Sequence, residues 1–588
     1  MGFKEAILVS GHPWTASLVY FIPALVVLGL YLLYRQLLPK PIPGIAYNAA
    51  SAASIFGDGA DMARTVGETG EFGPWCAAQI EKSGEAICQV FVQPLGKPWV
   101  LLADFHEAYD ILSRRTAPSR DADFDKSRFI TENMNCLGDF HAAFRATTRG
   151  DHFRNNRALI QDLMTPTFLN GSMGPMVHEK GMQFVRLMEA KMRLAGGRPF
   201  DIRADIDRVA LDVVLYFAFM EEFDESSLGP QVDLMSRLTP SDVPGGNIDA
   251  PVTFPEAPEG PLLNALRVAP SVVEHLMNSL FPRLNLWWWR KHSWYQKTFS
   301  DKYRVIRGQF KKALKNYHGG EVRSAAEHML MREEREAERQ GRAAELGSDI
   351  LVDELFGVLV AGHHTTGGAL GWLVKCLTSY PDLQAHIRKT MFAALPEALA
   401  EGRPPTFEEL RRARLPYLDA FIEETLRLNA VPITRETTRD TTILSRHVPK
   451  GSMVILISDG PGFLSPSFAV SPEERSPAAR ASKMNGYWDE TQDLRNFNLE
   501  RWLVRTGEKD DDVEFNGAAG PQLVFGQGVR GCWGKRLAQI EMRTTMALLM
   551  WHFELLEIPE ALTGNEATEG VARKPRKAFV RLRKVVHT

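Results

Sequence analysis

Cysteine is scarce in this chain: five residues among 588, at Cys76, Cys88, Cys136, Cys376 and Cys532, with no close pair. That spacing supplies neither a disulfide framework nor a Cys-x-x-Cys zinc site, and it fits a reducing compartment. A surplus of one charge is also missing. Sixty-nine Lys and Arg stand against 72 Asp and Glu, a formal net charge of −3, so no electrostatic footprint calls for nucleic acid. No internal repeat is visible. No flavin or nicotinamide fingerprint occurs either, so any electrons this chain uses must come from a partner. What is present, 24% charged and 44% hydrophobic residues, describes an ordinary globular core.

The longest uncharged run lies near the start. Trp14–Tyr34, WTASLVYFIPALVVLGLYLLY, has no charged residue and matches the roughly 20 residues that cross a bilayer. Lys4 and Glu5 precede it, whereas Arg35 and Lys40 follow, which places the downstream side in the cytoplasm. Trp14, Tyr31 and Tyr34 stand where interfacial aromatics belong, and Pro23 is tolerated in a membrane helix. The reading is an uncleaved signal anchor over 14–34, behind a short luminal segment 1–13 and before a proline-rich hinge 35–46. A cleaved signal peptide would have a shorter apolar region with more positive charge before it. The rest, 47–588, reads as one domain.

Phe525-Gly526-Gln527-Gly528-Val529-Arg530-Gly531-Cys532-Trp533-Gly534 is the most informative segment. Its glycines allow tight turns and close approach to a flat partner. Arg530 offers a fixed cation two residues before the sulfur, suited to a carboxylate. Ala538, Met542, Met546 and Leu549 then recur at helical spacing, and a thiolate at a helix start is favoured by the dipole and free N–H groups. The chemistry this points to is a cysteine thiolate bound to haem iron. The decapeptide resembles the haem-binding signature of the cytochrome P-450 superfamily, Phe-x-x-Gly-x-Arg-x-Cys-x-Gly, at every defining position, with Phe525 and Gly526 opening it and Cys532 as axial ligand.

Further segments resemble that family in its order. Asp349–Ser379 reads as one long helix that carries Gly357, Gly362, Gly367, Gly368 and Gly371, each costing about 1 kcal/mol against Ala, which calls for close packing or a ligand. Within it, Ala361-Gly362-His363-His364-Thr365-Thr366 resembles the oxygen-activation motif. The resemblance makes Thr365 the catalytic threonine, with a hydroxyl that bonds back one turn and locally opens the helix. His364 stands where the family usually has an acid; an imidazole can still relay protons. Two adjacent histidines point about 100° apart, which argues against a metal pair. Glu424-Thr425-Leu426-Arg427, with Arg501 from the later segment 497–502, resembles the Glu-x-x-Arg triad that holds the cysteine loop. Arg435 matches a strand arginine and Arg157 a helix arginine that contact haem propionates; Phe153 replaces the usual tryptophan four residues before Arg157.

The remaining expectations are coarser. Ala86–Val92 and Pro98–Ala103 form a hairpin, and a helix runs from Phe105 to Arg114. Residues 115–145 are irregular; 175–222 and 296–318 are helices; 223–295 is a Pro/Gly-rich stretch ending in Trp287-Trp288-Trp289, which suits either a membrane interface or a core. Residues 459–486 look like a surface insertion.

The resemblance implies a mainly α fold with small β-sheets, tethered by one transmembrane helix in the endoplasmic reticulum membrane with its catalytic domain cytosolic. It implies haem b and NADPH acting indirectly through an NADPH–cytochrome reductase, with cytochrome b5 as a further donor; Lys535 and Arg536 would face an acidic partner. The reaction implied is insertion of one oxygen atom from O2 into a lipophilic small molecule, in a setting such as fungal secondary metabolism. Two other readings stay open: a haem-thiolate isomerase, dehydratase or peroxide-dependent enzyme, and a non-catalytic haem sensor.

Overall fold

The computed structural model describes residues 13–587 apart from 119–120, 140, 142–146, 149, 221–222, 224, 278, 280, 318–321 and 508–511, with side chains from Ile22 onward, Asp162 excepted. The first helix is Pro13–Leu37, and its apolar side chains from Ile22 to Leu33 are exposed. Among the described residues no helix is long and apolar enough to cross a membrane. Segment 1–13, expected to be luminal, lies almost wholly outside the described residues.

The expected hairpin forms. Ile87–Val90 pairs antiparallel with Trp99–Leu102, Ile87 opposite Leu102. Trp99–Leu102 then runs parallel to Met453–Leu456, which pairs with Ile433–Thr437, which in turn pairs with Phe124–Lys126. With Ala46–Tyr47 at the far edge, this is one mixed six-stranded sheet. Its register matters, because Lys126 is set opposite Arg435.

Several coarse expectations need correction. The segment 175–222 is two helices, Gly174–Ala195 and Arg203–Phe219, because Gly196 and Gly197 both take positive φ and stop the first. The stretch 223–295 contains helices Leu228–Arg237, Pro261–Met277 and Pro282–Trp289. Pro261 and Pro282 sit in first turns, where a missing N–H costs nothing, so here proline marks helix starts. Residues 115–145 include the strand Phe124–Lys126 and a helix Arg128–Asn133 capped by the Ser127 hydroxyl. The 459–486 segment is no loose surface loop: Phe463 and Ala479 are buried, and Arg475 pairs with Asp104 at 2.7 Å in a buried contact. Of the three tryptophans, Trp287 and Trp288 are exposed, with Lys291 Nζ 3.6 Å over the Trp287 ring. Trp289 instead packs on His275.

The Asp349–Ser379 helix forms over the span read from sequence, opened by the Ser348 side chain, which accepts from Leu351 N–H. Its first half (Leu351, Leu355, Phe356, Leu359) belongs to one hydrophobic cluster and its second half (Leu370, Leu373, Val374, Leu377) to another. The glycines allow both. A methyl on Gly362 would stand 2.5 Å from Val214 Cγ1 on the Arg203–Phe219 helix, and one on Gly357 would stand 1.1 Å from His141 Nε2. Close approach offsets their poor helix propensity.

Glu424 and Arg427 lie one turn apart on Pro416–Leu428, both without exposure. Arg427 donates two bonds to the carboxylate, at 2.7 and 2.8 Å, and one each to the carbonyls of Phe463 and Leu494. Trp502 Nε1 and Asn498 N–H complete the carboxylate's partners at 2.9 and 3.0 Å. Arg501, the expected third member, is more distant: its Nε is 3.6 Å from Glu424 Oε1, and its Nη2 donates to Asp493 C=O. Trp502 takes the closer place.

Removing one partner of a buried pair strands the other charge, so Arg427→Ala should cost about 3–5 kcal/mol. Trp502→Phe removes one hydrogen bond to a charge and should cost about 1.5–3 kcal/mol, with Arg501→Gln the mildest of the three. Urea unfolding gives the order directly, and an Arg501 variant worse than the Trp502 variant would restore the arginine triad.

Candidate active site

The cysteine loop is shaped by two glycines. Gly526 and Gly528 have φ of 59° and 67°, and a methyl on Gly528 would stand 2.3 Å from the Leu112 carbonyl oxygen, so the loop lies directly on the end of the Phe105–Ser113 helix. Cys532 N–H donates to Phe525 C=O at 2.7 Å and Gly531 N–H to Gly528 C=O at 3.0 Å, which closes the turn. Gly534 then leads into Lys535–His552, the helix that the Ala538–Leu549 spacing required. Cys532 is exposed, yet surrounding protein crowds the thiol enough that burial raises its pKa. The N–H groups of Gly534 and Lys535 and the charges of Arg157 and Lys535 oppose that rise. The free thiol is therefore protonated near neutral pH, and a bound metal would be what displaces the proton.

Around this loop the structure gathers cations. Arg530 Nε donates to Thr148 Oγ1 at 2.7 Å, and its guanidinium lies 3.8 Å over the Phe153 ring. Phe153, placed where the family has tryptophan, thus works as a stacking platform. Thr148 passes the contact on to Asp125, which accepts its N–H and hydroxyl. Arg435 is buried, gives Nη1 to Thr434 C=O, and has no partner for Nε among the described residues. Burial, with Arg530 nearby, pulls its pKa down to about 10; Arg530 is likewise down to about 10, through burial and then Arg157. Lys126, across the register from Arg435, is driven well below its ordinary value by burial and by those two arginines. Arg157 is held down by burial while the Cys532 thiolate would raise it. The carboxylates facing this cluster are Asp125 and, toward Arg530, Glu354.

Four crowded cations with so little counter-charge are suited to an added dianion. A sulfur on an accessible loop, the orphaned Arg435 Nε and the Lys126–Arg157–Arg435–Arg530 group therefore fit haem, with its iron for the sulfur and two propionates for the cations.

The Asp349–Ser379 helix packs against Lys535–His552 and presents Ala361, His364 and Thr365 to a recess. Met134, Leu137, Pro270, Val273, Val360 and Val571 complete the lining. Thr365 Oγ1 donates to Ala361 C=O at 2.7 Å, the expected back-bond. The helix nevertheless stays α-helical through this turn rather than opening, because a hydroxyl can share a carbonyl without breaking its backbone bond. His363 turns away: its Nδ1 contacts Leu359 C=O at 2.8 Å, and burial lowers its pKa to about 3, so it is a neutral core residue. His364 faces the other way, with Nε2 3.1 Å from Glu274 Oε1, close enough for an ion pair but too bent for a good hydrogen bond. Burial lowers the His364 pKa while Glu274 raises it. Glu274, on Pro261–Met277, went unread in the sequence because nothing local marks it. Glu424, Arg427 and Arg501 are not among the recess-lining residues.

Comparison with known proteins agrees with this geometry. A family model described as Cytochrome P450 matches residues 120–460 and 489–582, passing over the segment that reads as an insertion. The cytochrome P450 monooxygenase xilC of Penicillium crustosum is 36% identical over 568 residues, 96% of each chain. The cytochrome P450 monooxygenase TRI13 of Fusarium sporotrichioides is 34% identical over 587 residues, covering 95% of this chain and 98% of its own. Human cytochrome P450 3A5 is 23% identical over 405 residues, 67% of this chain. Cysteine loop, cation cluster and relatives of matching length agree: this chain belongs to the cytochrome P450 family and is a haem-dependent monooxygenase.

Proposed function

We propose that the protein inserts one oxygen atom from O2 into a lipophilic small molecule of fungal secondary metabolism, with electrons delivered by an NADPH–cytochrome reductase and in part by cytochrome b5. The observation that carries this is the recess itself. Its lining is apolar except for His364 and Thr365, two proton-carrying groups side by side on one helix. Such a lining favours apolar groups over water, and because the gap it encloses is only about 20 Å³, a substrate enters by parting these side chains.

Haem, when bound, supplies the oxygen-binding iron, and the Cys532 thiolate donates the electron density that favours O–O cleavage. The protein's own residues do the rest. Arg530, Arg435 and Arg157 anchor the propionates, and Phe153 fixes the plane of Arg530. Met134, Leu137, Pro270, Val273 and Val571 hold substrate against the central helix. Thr365 holds a proton at Oγ1, and His364, whose Nε2 meets Glu274, lines the same recess as a second proton carrier.

The substitution of His364 for the usual acid leaves room for one second reading, an isomerase, dehydratase or peroxide-dependent enzyme; product formed without NADPH consumption would select it. The sensor reading has no support among monooxygenase relatives that match over nearly the whole chain. We further propose that residues 14–34 anchor the protein in the endoplasmic reticulum membrane with the catalytic domain cytosolic, and that exposed Trp287 and Trp288 rest at the same interface. Exposure of the apolar side chains from Ile22 to Leu33 supports this, since a globular fold buries such a face.

Three outcomes follow. The reduced carbonyl complex should show the red-shifted Soret band of thiolate-bound haem, and Cys532→Ala should abolish it; a variant that keeps the band refutes the ligand. Thr365→Ala and His364→Ala should each lower product formed per NADPH by about tenfold or more, the lost electrons appearing as hydrogen peroxide, whereas unchanged coupling in both would put proton delivery elsewhere. Alkaline carbonate extraction should leave full-length protein in the membrane, with a tag placed after Pro43 open to protease outside intact microsomes; a shortened lumenal product would overturn both anchor and orientation.

A further inference from the structure

His364 occupies the position of an acid but cannot by itself do what an acid does, which is to stay charged near neutral pH and draw protons inward. Burial works against its imidazolium. The fold supplies the missing charge from another element. Glu274, on Pro261–Met277, sets Oε1 3.1 Å from His364 Nε2, with the histidine side chain 9% exposed and the glutamate 22%. One member of the pair therefore reaches solvent and the other faces the recess.

The neighbouring charges make the contact selective. The groups facing His364 are Glu274, Lys574 of strand Arg573–Pro575, Asp207 of Arg203–Phe219, and His363 on its own helix. Lys574 Nζ and Asp207 Oδ1 are 3.6 Å apart and offset each other. His363 is neutral, bound to its own helix. Glu274 is left as the carboxylate in contact with the imidazole. A further contact holds it there: Gly570, in the turn before Arg573–Pro575, approaches so closely that a methyl on it would lie 2.7 Å from Glu274 Cγ. Val571, next in that turn, lines the recess with His364.

We propose that Glu274 is a positioning residue for oxygen activation, forming with His364 a split dyad that replaces the acid of the oxygen-activation motif and opens its proton path to solvent. The inference rests on the proposed proton-delivery role of His364 and Thr365. A proton from solvent forms an O–H bond at Glu274 Oε1. A small turn of the imidazole straightens the 3.1 Å contact, and that bond then breaks as N–H forms at the unprotonated Nε2 of His364, which regenerates the carboxylate and leaves an imidazolium facing the recess. No oxidant or reductant enters the step; one proton moves inward, and the imidazolium gives one up on the recess side. Between transfers the carboxylate fixes the ring's orientation and favours its imidazolium form; once the ring has released a proton on the recess side, the proton left on Nε2 exchanges to the other nitrogen, which frees Nε2 to accept again.

The test uses the full-length, haem-loaded enzyme and three variants: Glu274→Gln, which keeps shape and removes charge; Glu274→Asp, which keeps charge; and Gly570→Ala, which pushes the carboxylate aside without altering any charge. The first readout is independent of turnover. Histidine-labelled protein in its diamagnetic reduced carbonyl form is titrated by NMR, with the His364 signal assigned by its loss in His364→Ala. Glu274→Gln should lower the His364 midpoint by about one pH unit, the size expected when an adjacent opposite charge is lost, and Glu274→Asp should recover most of it. The second readout is product formed per NADPH, which should fall about fivefold or more in Glu274→Gln and in Gly570→Ala and return in Glu274→Asp. An unmoved midpoint, or full coupling in Glu274→Gln, overturns the dyad. If Thr365→Ala uncouples while Glu274→Gln does not, the dyad falls and the wider reading of the site stands; if neither uncouples, both fall. Should Glu274→Gln lose haem or fail to fold, Gly570→Ala decides the matter, since it leaves the carboxylate in the chain.

Discussion

Close approach to one helix from several sides is the constraint that organises this protein. Asp349–Ser379 belongs to both large hydrophobic clusters, and it does so with glycine where its neighbours come nearest. Val214 meets Gly362, Asp207 meets Gly367, and Lys574 and Pro575 meet Gly368 and Gly371. Each contact fixes the helix along a different direction, so the Ala361–Thr365 turn is presented to the recess by rigid packing rather than by a flexible loop. The poor helix propensity of glycine is offset because the helix is buried on several faces.

Electrostatics adds a second level of order. The protein gathers Lys126, Arg435 and Arg530 around Asp125, with Arg157 beside Arg530 and Glu354 as the second carboxylate, an arrangement of four cations that is costly without added negative charge. The sheet register contributes, since pairing Phe124–Lys126 with Ile433–Thr437 sets Lys126 opposite Arg435. The cysteine loop contributes Arg530, and the helix Asp151–Ala158 contributes Arg157 together with the Phe153 ring beneath Arg530. Three elements distant in sequence thus converge on the place where a flat, doubly anionic cofactor belongs.

Much of this was legible in the chain, and the reason is locality. The cysteine loop, the span of the long helix, the back-bond from Thr365 to Ala361 and the Glu424–Arg427 pair each depend on residues within one or two turns of each other. What was not legible depends on distance. Nothing near Glu274 marks it as the partner of a histidine 90 residues later. Trp502 carries no role in the sequence, yet its indole N–H bonds Glu424 more closely than the arginine beside it. The 223–295 stretch was legible only as Pro/Gly-rich, whereas Pro261 and Pro282 begin helices. Phe153 looked like a lost donor, because its value comes from a guanidinium that the fold brings from the other end of the chain.

Arg427 has one more consequence. Its guanidinium holds the Phe463 carbonyl with one nitrogen and the Leu494 carbonyl with another, and the residues between these two points contain most of the 461–488 segment that the family model passes over. The two ends of the extra chain are therefore pinned to one buried side chain, and its closure is set by the core rather than by its own sequence. Extending a flexible loop costs only about 0.6 kcal/mol for each doubling once its ends are fixed. That low cost applies only to the parts of the stretch away from the buried Arg475–Asp104 pair, so insertions there should leave the cysteine loop in place, whereas changes at Arg475 should not be neutral.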